Sequence, residues 1–480
     1  MSSRHVDTIV HDGQVVTSSD VVRTSVAVKD GRIVALGPRE LLPEAERYID
    51  ASGKYVLPGA IDAHMHIDPL KCDDWVDAPL AAAHSGITSL IVFCIYDDLN
   101  GETVPDAIRR IREEAKAASV LDYAFHFILH KQPYVLEGLP EAFDMGVTSY
   151  KMFMTYKSRK FRMCSDDFIC QAMDVIGSHG GLTQLHCENG DVLDYLQTKF
   201  MSEGCTHPRY FPQACPPWAE EEAVNRAIKM GAMTKCPTYV VHLSTQGGLE
   251  KIKEAQQQGQ RVWTETCPQY LLLSDAEMEK WGPHAKIGPP LRPEEGPDQE
   301  ALWRGLQGGH ISIVASDHSA THKEKKESGW DNVFEDVQGN TVPFGSASVE
   351  TMLPLMYSEG VVKRGMSITW IARALAENPA RVFGLYPRKG TISIGSDADL
   401  LLIDPHYERT ITASDMKSNA GLTLYEGWGQ KGRPWMTMVR GQVVMKEGEI
   451  LQKPGYGEYV ACGGPMAPLG GPVASVAPAV

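Results

Sequence analysis

Leu57-Pro58-Gly59-Ala60-Ile61-Asp62-Ala63-His64-Met65-His66, an apolar run that ends in two histidines, decides the fold prediction for this chain. On a β-strand, side chains two residues apart point to the same face, so both imidazoles are expected to lie together. Neutral imidazole is the commonest protein ligand for zinc-like metals, and a pair at a strand end is already oriented. A His-x-His pair also occurs by chance, so its weight depends on the rest of the chain.

Seven further strand-like segments follow, and helical patterns such as 104–118 and 245–257 separate most of them. The eight strand predictions are 56–66, 88–95, 123–129, 147–154, 182–187, 238–243, 261–266 and 311–317. Eight alternations of strand and helix predict an α/β fold, the (β/α)₈ TIM barrel, with its active site at the carboxyl ends of the strands. A doubly wound sheet is the alternative topology.

Both ends of the chain have a different, β-rich texture. Asp-Gly hairpin signals lie between strand-like runs near the N-terminus, and similar runs return late in the chain. These patterns predict a small β-sandwich domain formed by the N- and C-terminal segments, residues 1–56 and 388–461. The catalytic barrel is then 57–387, and 462–480, rich in Gly, Pro and Ala, is predicted to be a flexible tail.

Charge and composition exclude some partners. The chain has 46 Lys and Arg against 61 Asp and Glu, a net charge of −15, and no basic cluster with aromatic residues offsets it. Nucleic acid and membrane surfaces are therefore not expected partners. The N-terminus lacks the apolar core of a secretion signal, and the ten cysteines include no Cys-x-x-Cys pair. We therefore expect a cytoplasmic protein with reduced thiols.

Metal-competent side chains lie on five of the eight predicted strands, at or near their carboxyl ends. In chain order they are His64, His66, Lys151, His186, His242 and Asp317. Taken singly, a buried histidine is usually a hydrogen-bonded core residue, and an aspartate after a strand can cap the next helix. Because all of these residues converge on one barrel mouth, together they predict a metal centre.

Lys151 is the diagnostic member, because an ammonium group is expensive to bury in an apolar strand and cannot bind a metal while protonated. A Schiff-base lysine is one explanation, but it leaves the four histidines and the aspartate without a role. The other is a carbamate formed with CO₂ (N6-carboxylysine), an anion able to bridge two cations. We favour the carbamate. One metal would then be bound by His64, His66 and Asp317, and the other by His186 and His242.

The same chemistry assigns catalytic roles. Two divalent metal ions would lower the pKa of a bridging water, so that hydroxide attacks a carbonyl that one of them polarises. Asp317 is the expected proton shuttle, first as base and then as acid for the leaving nitrogen. Tyr156, on the loop after Lys151, is expected to donate its hydroxyl to the developing oxyanion. Histidine and carboxylate ligands favour zinc, with manganese or cobalt as alternatives.

With these residues in place, the chain resembles the cyclic amidohydrolases, and among them the dihydropyrimidinase/hydantoinase group, over its whole length up to the tail. The motifs that carry the resemblance are 58–66, 149–156, 186–189, 242–244, 265–271 and 316–318. The resemblance implies a hydrolase that opens the amide bond of a small cyclic amide, such as a hydantoin, a dihydropyrimidine or a related imide. It also implies a homo-oligomer, commonly a homotetramer.

Three positions bear on the substrate. Asp68 stands two residues after His66, where dihydroorotases and allantoinases tend to have arginine, which disfavours a charged dihydroorotate. The Ser-Pro-Pro-Leu-Arg and Pro-Asn-Gly motifs of the family carry Gly288 and Phe344 here in place of Ser and Asn. By resemblance, Tyr156, Gly288 and Phe344 bind the substrate. The changed pocket predicts a preference for a substituted or aromatic-bearing ring, or a related imide, over plain dihydrouracil.

Other functions remain as alternatives. A hydrolase of the same fold could act on phthalimide or allantoin. A non-catalytic relative, such as the neuronal scaffold proteins of this family, would lack several ligands, whereas this chain keeps all six. A mononuclear deaminase would keep the histidines and Asp317 but have no use for Lys151.

Overall fold

A computed structural model of the chain describes residues 5–97, 101–159 and 161–469. Its centre is a sheet of eight parallel strands in chain order. These strands are Ala60–Met65 (β1), Ile87–Cys94 (β2), Asp122–Ile128 (β3), Ser149–Phe153 (β4), Leu182–His186 (β5), Thr238–Val240 (β6), Val262–Thr266 (β7) and Ile313–Val314 (β8). Each overlaps one of the eight predicted strands.

The sheet closes into a barrel where the chain after β8 returns to β1. A parallel bridge joins Met65 to His318, and the His66 amide donates to the His318 carbonyl at 2.8 Å. Asp62 strengthens this seam, because its Oδ1 accepts a hydrogen bond from the Ser316 amide at 3.0 Å. The predicted (β/α)₈ barrel is therefore confirmed.

Helices surround the barrel and bury their apolar faces against it. In Val104–Ala118 the buried Ile108, Ile111 and Ala115 recur at helical spacing, and the Thr103 side chain caps the first turn. The other α-helices are Asp77–His84, Leu139–Asp144, Asp166–Ser178, Gly190–Ser202, Pro217–Thr234, Gln246–Gln257, Pro268–Leu272, Glu277–Trp281, Asp298–Gln307, Lys323–Lys326, Val349–Leu355, Thr369–Ala372 and Asn378–Val382. Shorter 3-10 and π-helical segments are Arg39–Leu41, Pro133–Gly138, Pro208–Tyr210, Gly282–Ala285, Glu327–Trp330, Met356–Lys363, Arg373–Glu377 and Ala413–Asp415. None of these described helices is long and apolar enough to cross a membrane.

Two further sheets form the small domain. The four-stranded sheet contains, in spatial order, Arg32–Gly37, Ser25–Lys29, His5–His11 and Glu44–Asp50. The seven-stranded sheet contains Glu449–Ile450, Gln442–Lys446, Gly429–Val439, Leu400–Thr410, Tyr55–Pro58, Gln14–Val16 and Val21–Arg23. A shared apolar core, including Val10, Val26, Leu400 and Met436, packs residues of both sheets together. The predicted β-sandwich of N- and C-terminal segments is confirmed.

The predicted first strand, 56–66, is two strands in the structure. Tyr55–Pro58 pairs with Leu400–Thr410 in the sandwich, and β1 starts after Gly59. A Cβ on Gly59 would lie 2.2 Å from the Thr88 hydroxyl, so only glycine fits this close approach. The sandwich strand therefore ends at residue 58, beyond the predicted boundary at 56.

The C-terminal segment lies against the end of the barrel at which the strands begin. The Thr148 hydroxyl donates to the Gly463 carbonyl at 2.7 Å, and the Leu469 amide donates to the Asn378 side chain at 2.7 Å. Residues 462–469 of the predicted flexible tail are thus hydrogen-bonded to the barrel, because their backbone groups find partners there. The rest of the predicted tail lies outside the described residues.

Buried ions tie the two domains together. The Lys389 ammonium group has no exposed surface and contacts three carboxylates, those of Asp122, Asp397 and Asp399. On the other side, Asp73 accepts hydrogen bonds from the Ser418 hydroxyl at 2.6 Å and from the Asn419 amide at 2.7 Å. These contacts fix the sandwich relative to the barrel mouth.

Candidate active site

Strand β1 and the residue after it place His64 and His66. The pairing of β1 with β2 shifts register between Asp62 and Met65, an irregularity of the kind that a β-bulge produces. Bulges next to active sites re-aim side chains. The two imidazole rings lie 5.3 Å apart, and both contact the Phe93 ring, with centroid distances of 4.5 and 5.3 Å. Both rings therefore lie on one side of the barrel mouth.

Lys151 lies in the middle of β4 and is 1% exposed. Its Nζ lies 2.9 Å from Nε2 of His64 and 4.3 Å from the centroid of the Phe93 ring. It forms no ion pair with a carboxylate of the described residues. Burial lowers the pKa of Lys151 to about 8, which increases the fraction of neutral amine relative to an exposed lysine. The neutral amine is the form that can react with CO₂.

Three of the predicted site residues have a left-handed backbone: Tyr156 at φ 68°, His242 at φ 39° and Asp317 at φ 49°. Such values are uncommon for residues other than glycine and cluster at functional sites. Each residue follows a barrel strand, where the chain turns across the barrel mouth. Asp317 Oδ1 lies 3.1 Å from Nε2 of His64 and 3.5 Å from Nε2 of His66.

The electrostatics favour the metal-binding protonation states of Asp317, His66 and His242. Burial acts to raise the pKa of Asp317, but the charge and hydrogen bonds of His64 and His66 outweigh it and hold this pKa well below its usual range. Burial also lowers the pKa of His66 and His242 well below the usual range. The carboxylate is therefore ionised and these two imidazoles are neutral, which is the metal-binding form.

Two buried glutamates orient the histidines. Glu265 Oε1, at the end of β7, is hydrogen-bonded to Nδ1 of His64 and accepts from the His242 amide at 3.1 Å. Glu188 Oε2 lies 2.7 Å from Nε2 of His186. Carboxylates in this position fix the tautomer and raise the basicity of a histidine ligand. They leave Nε2 of His64 and Nδ1 of His186 as the nitrogens that could bind a metal.

The donor set fits a divalent metal. Ligand atoms of His64, His242 and Asp317 lie within 4.8 Å of one another. Among the described residues, Nδ1 of His242 is buried without a hydrogen-bond partner, an unusual state for a polar atom inside a protein. The His186 ring lies 4.5 Å from the His242 ring. Imidazole nitrogen and carboxylate oxygen are ligands that suit zinc and related ions.

This group opens into a cavity of about 550 Å³, a size typical of small-molecule sites. Of the nine predicted site residues, eight line the cavity, and His64 lies behind them. The Tyr156 ring is 5.2 Å from the rings of both His186 and Phe344. Burial raises the pKa of Tyr156, so its hydroxyl stays protonated and can donate a hydrogen bond.

Gly288 and Phe344 lie side by side in this cavity. A Cβ on Gly288 would lie 2.6 Å from the Tyr156 hydroxyl and 3.2 Å from Cδ1 of Phe344. The first distance is shorter than real Cβ contacts and the second is tighter than most of them, so the absence of a side chain at 288 leaves room for both rings.

Comparison with known proteins places this site in a family. The chain matches the Amidohydrolase family over residues 55–444. It belongs to the amidohydrolase family. This amidohydrolase is 35% identical over 465 residues to D-hydantoinase from Ralstonia pickettii, and the aligned region covers 95% of this chain and 98% of that protein. It is 33% identical over 460 residues to L-hydantoinase from Paenarthrobacter aurescens, with coverage of 95% and 98%.

The fold of the amidohydrolase is also that of solved relatives. The crystal structure of dihydropyrimidinase from Brevibacillus agri matches it with a TM-score of 0.90 at 35% identity, covering 96% of this chain and 100% of that chain. The predicted membership of the hydantoinase/dihydropyrimidinase group is thus confirmed. Membership of the amidohydrolase family implies the use of divalent metal.

Sequence analysis did not predict the orienting roles of Glu265 and Glu188 in this amidohydrolase. Glu265 is a carboxylate at a fully buried position of strand β7. The argument that singled out Lys151, an ionisable group in a buried strand, applies equally to it. Glu188 gives a weaker signal, because it lies two residues beyond His186 on a loop.

Proposed function

We propose that this amidohydrolase opens the amide bond of a cyclic amide, namely a hydantoin, a dihydropyrimidine or a related imide, with the help of two divalent metal ions, zinc being favoured. The observation that carries the proposal is Lys151, a buried amine 2.9 Å from Nε2 of His64 without a carboxylate partner among the described residues. As a carbamate it would become an anion suited to cation binding rather than an uncompensated buried ammonium group.

The six metal-competent residues divide into two sets. One ion would be held by His64, His66 and Asp317, the other by His186 and His242, with carboxylated Lys151 shared between them. Bound there, the ions would lower the pKa of a water molecule and polarise the substrate carbonyl. Glu265 and Glu188 support this assignment, because each is hydrogen-bonded to one ring nitrogen of a histidine and leaves the other nitrogen for the metal.

Two residues supply the proton chemistry. The ionised Asp317 carboxylate can take a proton from the attacking water and pass it to the leaving nitrogen. No hydrogen bond joins the Tyr156 hydroxyl to another described residue, so it can donate to the oxyanion that forms at the carbonyl. Phe344 adds apolar surface beside Tyr156, which supports a preference for a substituted or aromatic-bearing ring.

Replacement of Lys151 tests the assignment directly. Lys151→Ala should lose both bound metal and the hydrolysis of hydantoins, because alanine has no amine from which the shared carbamate could form. Metal analysis, hydrolysis rates and native mass spectrometry after incubation with labelled bicarbonate would be measured together, with a CO₂ adduct expected only in the unmutated protein. Lys157→Ala, on the loop after β4, is the matched control, since Lys157 is exposed and pairs with Asp191. Full metal content and activity in Lys151→Ala would overturn the proposal.

The substrate preference is tested by kcat/KM on dihydrouracil, substituted hydantoins, phthalimide and succinimide. Dihydrouracil as the best substrate would contradict the preference for a substituted ring or an imide. The homotetramer and the cytoplasmic location expected from the sequence remain predictions. Light scattering coupled to size-exclusion chromatography checks the oligomer.

A further inference from the structure

Basic side chains gather at the mouth of the active-site cavity, where Lys71, Arg159, Arg162 and Lys325 contribute to its lining. Among the described residues, the cavity lining includes two acidic side chains, Asp68 and Asp317, and Asp317 belongs to the proposed metal centre. The chain as a whole has a net charge of −15. The local excess of positive charge is therefore a property of this cavity and not of the composition.

Arg159 is fixed close to the proposed substrate ring. It lies on the loop that carries Tyr156, and its amide donates to the Tyr156 carbonyl at 2.9 Å. Its guanidinium carbon lies 5.0 Å from the centroid of the Tyr156 ring and 5.3 Å from that of the Phe344 ring. Cation–π contacts of this kind hold the guanidinium plane beside the two rings that are proposed to contact the cyclic amide.

Lys71 and Arg159 lack an ion-pair partner among the described residues. Burial lowers the pKa of both groups, and the neighbouring Arg159 and Arg162 add to the effect on Lys71 while Asp68 opposes it. Two partly desolvated like charges without a counter-ion cost free energy, and a bound anion would recover it.

We propose that Lys71 and Arg159, with Arg162 beside them, form a cationic wall that binds a carboxylate carried on a substituent of the cyclic amide. The inference rests on the proposed function, because it names the substrate class of the same site. A planar guanidinium suits two-point binding of a carboxylate, and the ammonium of Lys71 adds a second charge. Since Asp68 also lines the cavity, a carboxylate held beside it would be repelled, and the substituent must be flexible enough to reach the basic residues instead.

A pair of hydantoins of equal size tests the cationic wall. One has a carboxyethyl substituent and the other a carbamoylethyl substituent, which is neutral. The unmutated protein should hydrolyse the acid with a kcat/KM about tenfold above that of the amide, the effect of a charge-assisted hydrogen bond. Added salt should reduce this ratio, because partly exposed charges are screened. An acid-to-amide ratio near one that salt does not change would overturn the proposal.

Charge-removing variants assign the effect to residues. Arg159→Gln and Lys71→Gln should each lower the acid-to-amide ratio about threefold, so that the two together account for the tenfold preference. Lys157→Gln is the matched control on the same loop and should leave the ratio unchanged, since its charge is paired with Asp191 at 2.7 Å on the surface. An unchanged ratio in both wall variants would refute the assignment. Hydrolysis of the amide without preference for the acid would sink only this inference, whereas no hydrolysis of either compound would count against the proposed function.

Discussion

Replacing Glu265 by glutamine isolates the contribution of an orienting carboxylate to metal binding. Glu265 has no exposed surface, and its Oε1 atom is hydrogen-bonded to Nδ1 of His64. Its Oε2 atom accepts from the Tyr239 hydroxyl at 2.9 Å. Glutamine keeps the shape and one acceptor oxygen but removes the negative charge. We expect Glu265→Gln to bind metal more weakly without unfolding.

The magnitude follows from the kind of hydrogen bond that is lost. A hydrogen bond to a charged group contributes about 1.5–3 kcal/mol, and its neutral replacement keeps roughly half of that. Removing an orienting partner of a histidine ligand lowers metal affinity about 10- to 100-fold in comparable sites. We therefore expect a decrease of this size for Glu265→Gln. Tyr239→Phe removes the hydrogen bond to the other oxygen and keeps the charge, so its effect should be smaller.

Competition against a coloured chelator measures the metal affinity, and circular dichroism checks that the variant is folded. Hydrolysis is then measured with increasing metal. A positioning role predicts that excess metal restores a large part of kcat in Glu265→Gln, which a damaged fold would not allow. Equal metal affinity in the variant and the unmutated protein would refute the reasoning that Glu265 prepares His64 for metal binding.

Three further predictions concern the frame around the site. Lys389→Met should lower the free energy of unfolding in urea by about 3–5 kcal/mol, because it removes the cation shared by three buried carboxylates and leaves Asp399 with no other ion-pair partner among the described residues. An unchanged midpoint would contradict the role of this lysine in joining the domains. Gly288→Ser should lower kcat/KM on hydantoins about tenfold, because the added side chain displaces the Tyr156 or Phe344 ring. Adding Phe344→Asn should recover part of the loss. Purely additive effects of the two substitutions on kcat/KM would contradict the crowding between these residues. Burial acts to raise the pKa of Asp73, but its hydrogen bond to His318 and the other donors hold it below the ordinary 3.8. Its stabilisation is therefore present above that pH and lost as pH falls through the lowered pKa. Asp73→Asn should be less stable at neutral pH, and the difference from the unmutated protein should shrink in acid; a constant difference would refute this linkage.

Much of the barrel could be predicted from the sequence, because its signals are local. The helix Val104–Ala118 has the predicted bounds, since its apolar spacing and its Thr103 cap are both contained in the segment. Strand β8 was predicted as 311–317 but covers only Ile313–Val314. The prediction was too long because the backbone leaves the sheet to place Asp317 at φ 49°. The sequence of an apolar segment before an active-site turn does not show which of its residues form strand hydrogen bonds with the neighbouring strand.

Features that depend on distant parts of the chain could not be predicted in the same way. The division of the first predicted strand follows from the approach of Thr88 to Gly59, and nothing near Gly59 in the sequence indicates that contact. The hydrogen bonds of residues 462–469 likewise depend on partners such as Thr148, which lies more than three hundred residues away in sequence. Composition alone predicted flexibility for this segment, because composition does not show which backbone groups find partners.

In the substrate pocket, too, a contact between residues far apart in sequence could not be predicted, and this contact affects function. From the sequence, Gly288 and Phe344 are two separate departures from a family pattern. In the structure they are neighbours, since a Cβ at 288 would lie 3.2 Å from the phenyl ring and 2.6 Å from the Tyr156 hydroxyl. The absence of a side chain at 288 thus leaves room for the phenyl ring at 344 and for the tyrosine hydroxyl. The two departures should therefore be treated as one change, which places a phenyl ring beside Tyr156 and under the Arg159 guanidinium, whose carbon lies 5.3 Å from the centroid of that ring.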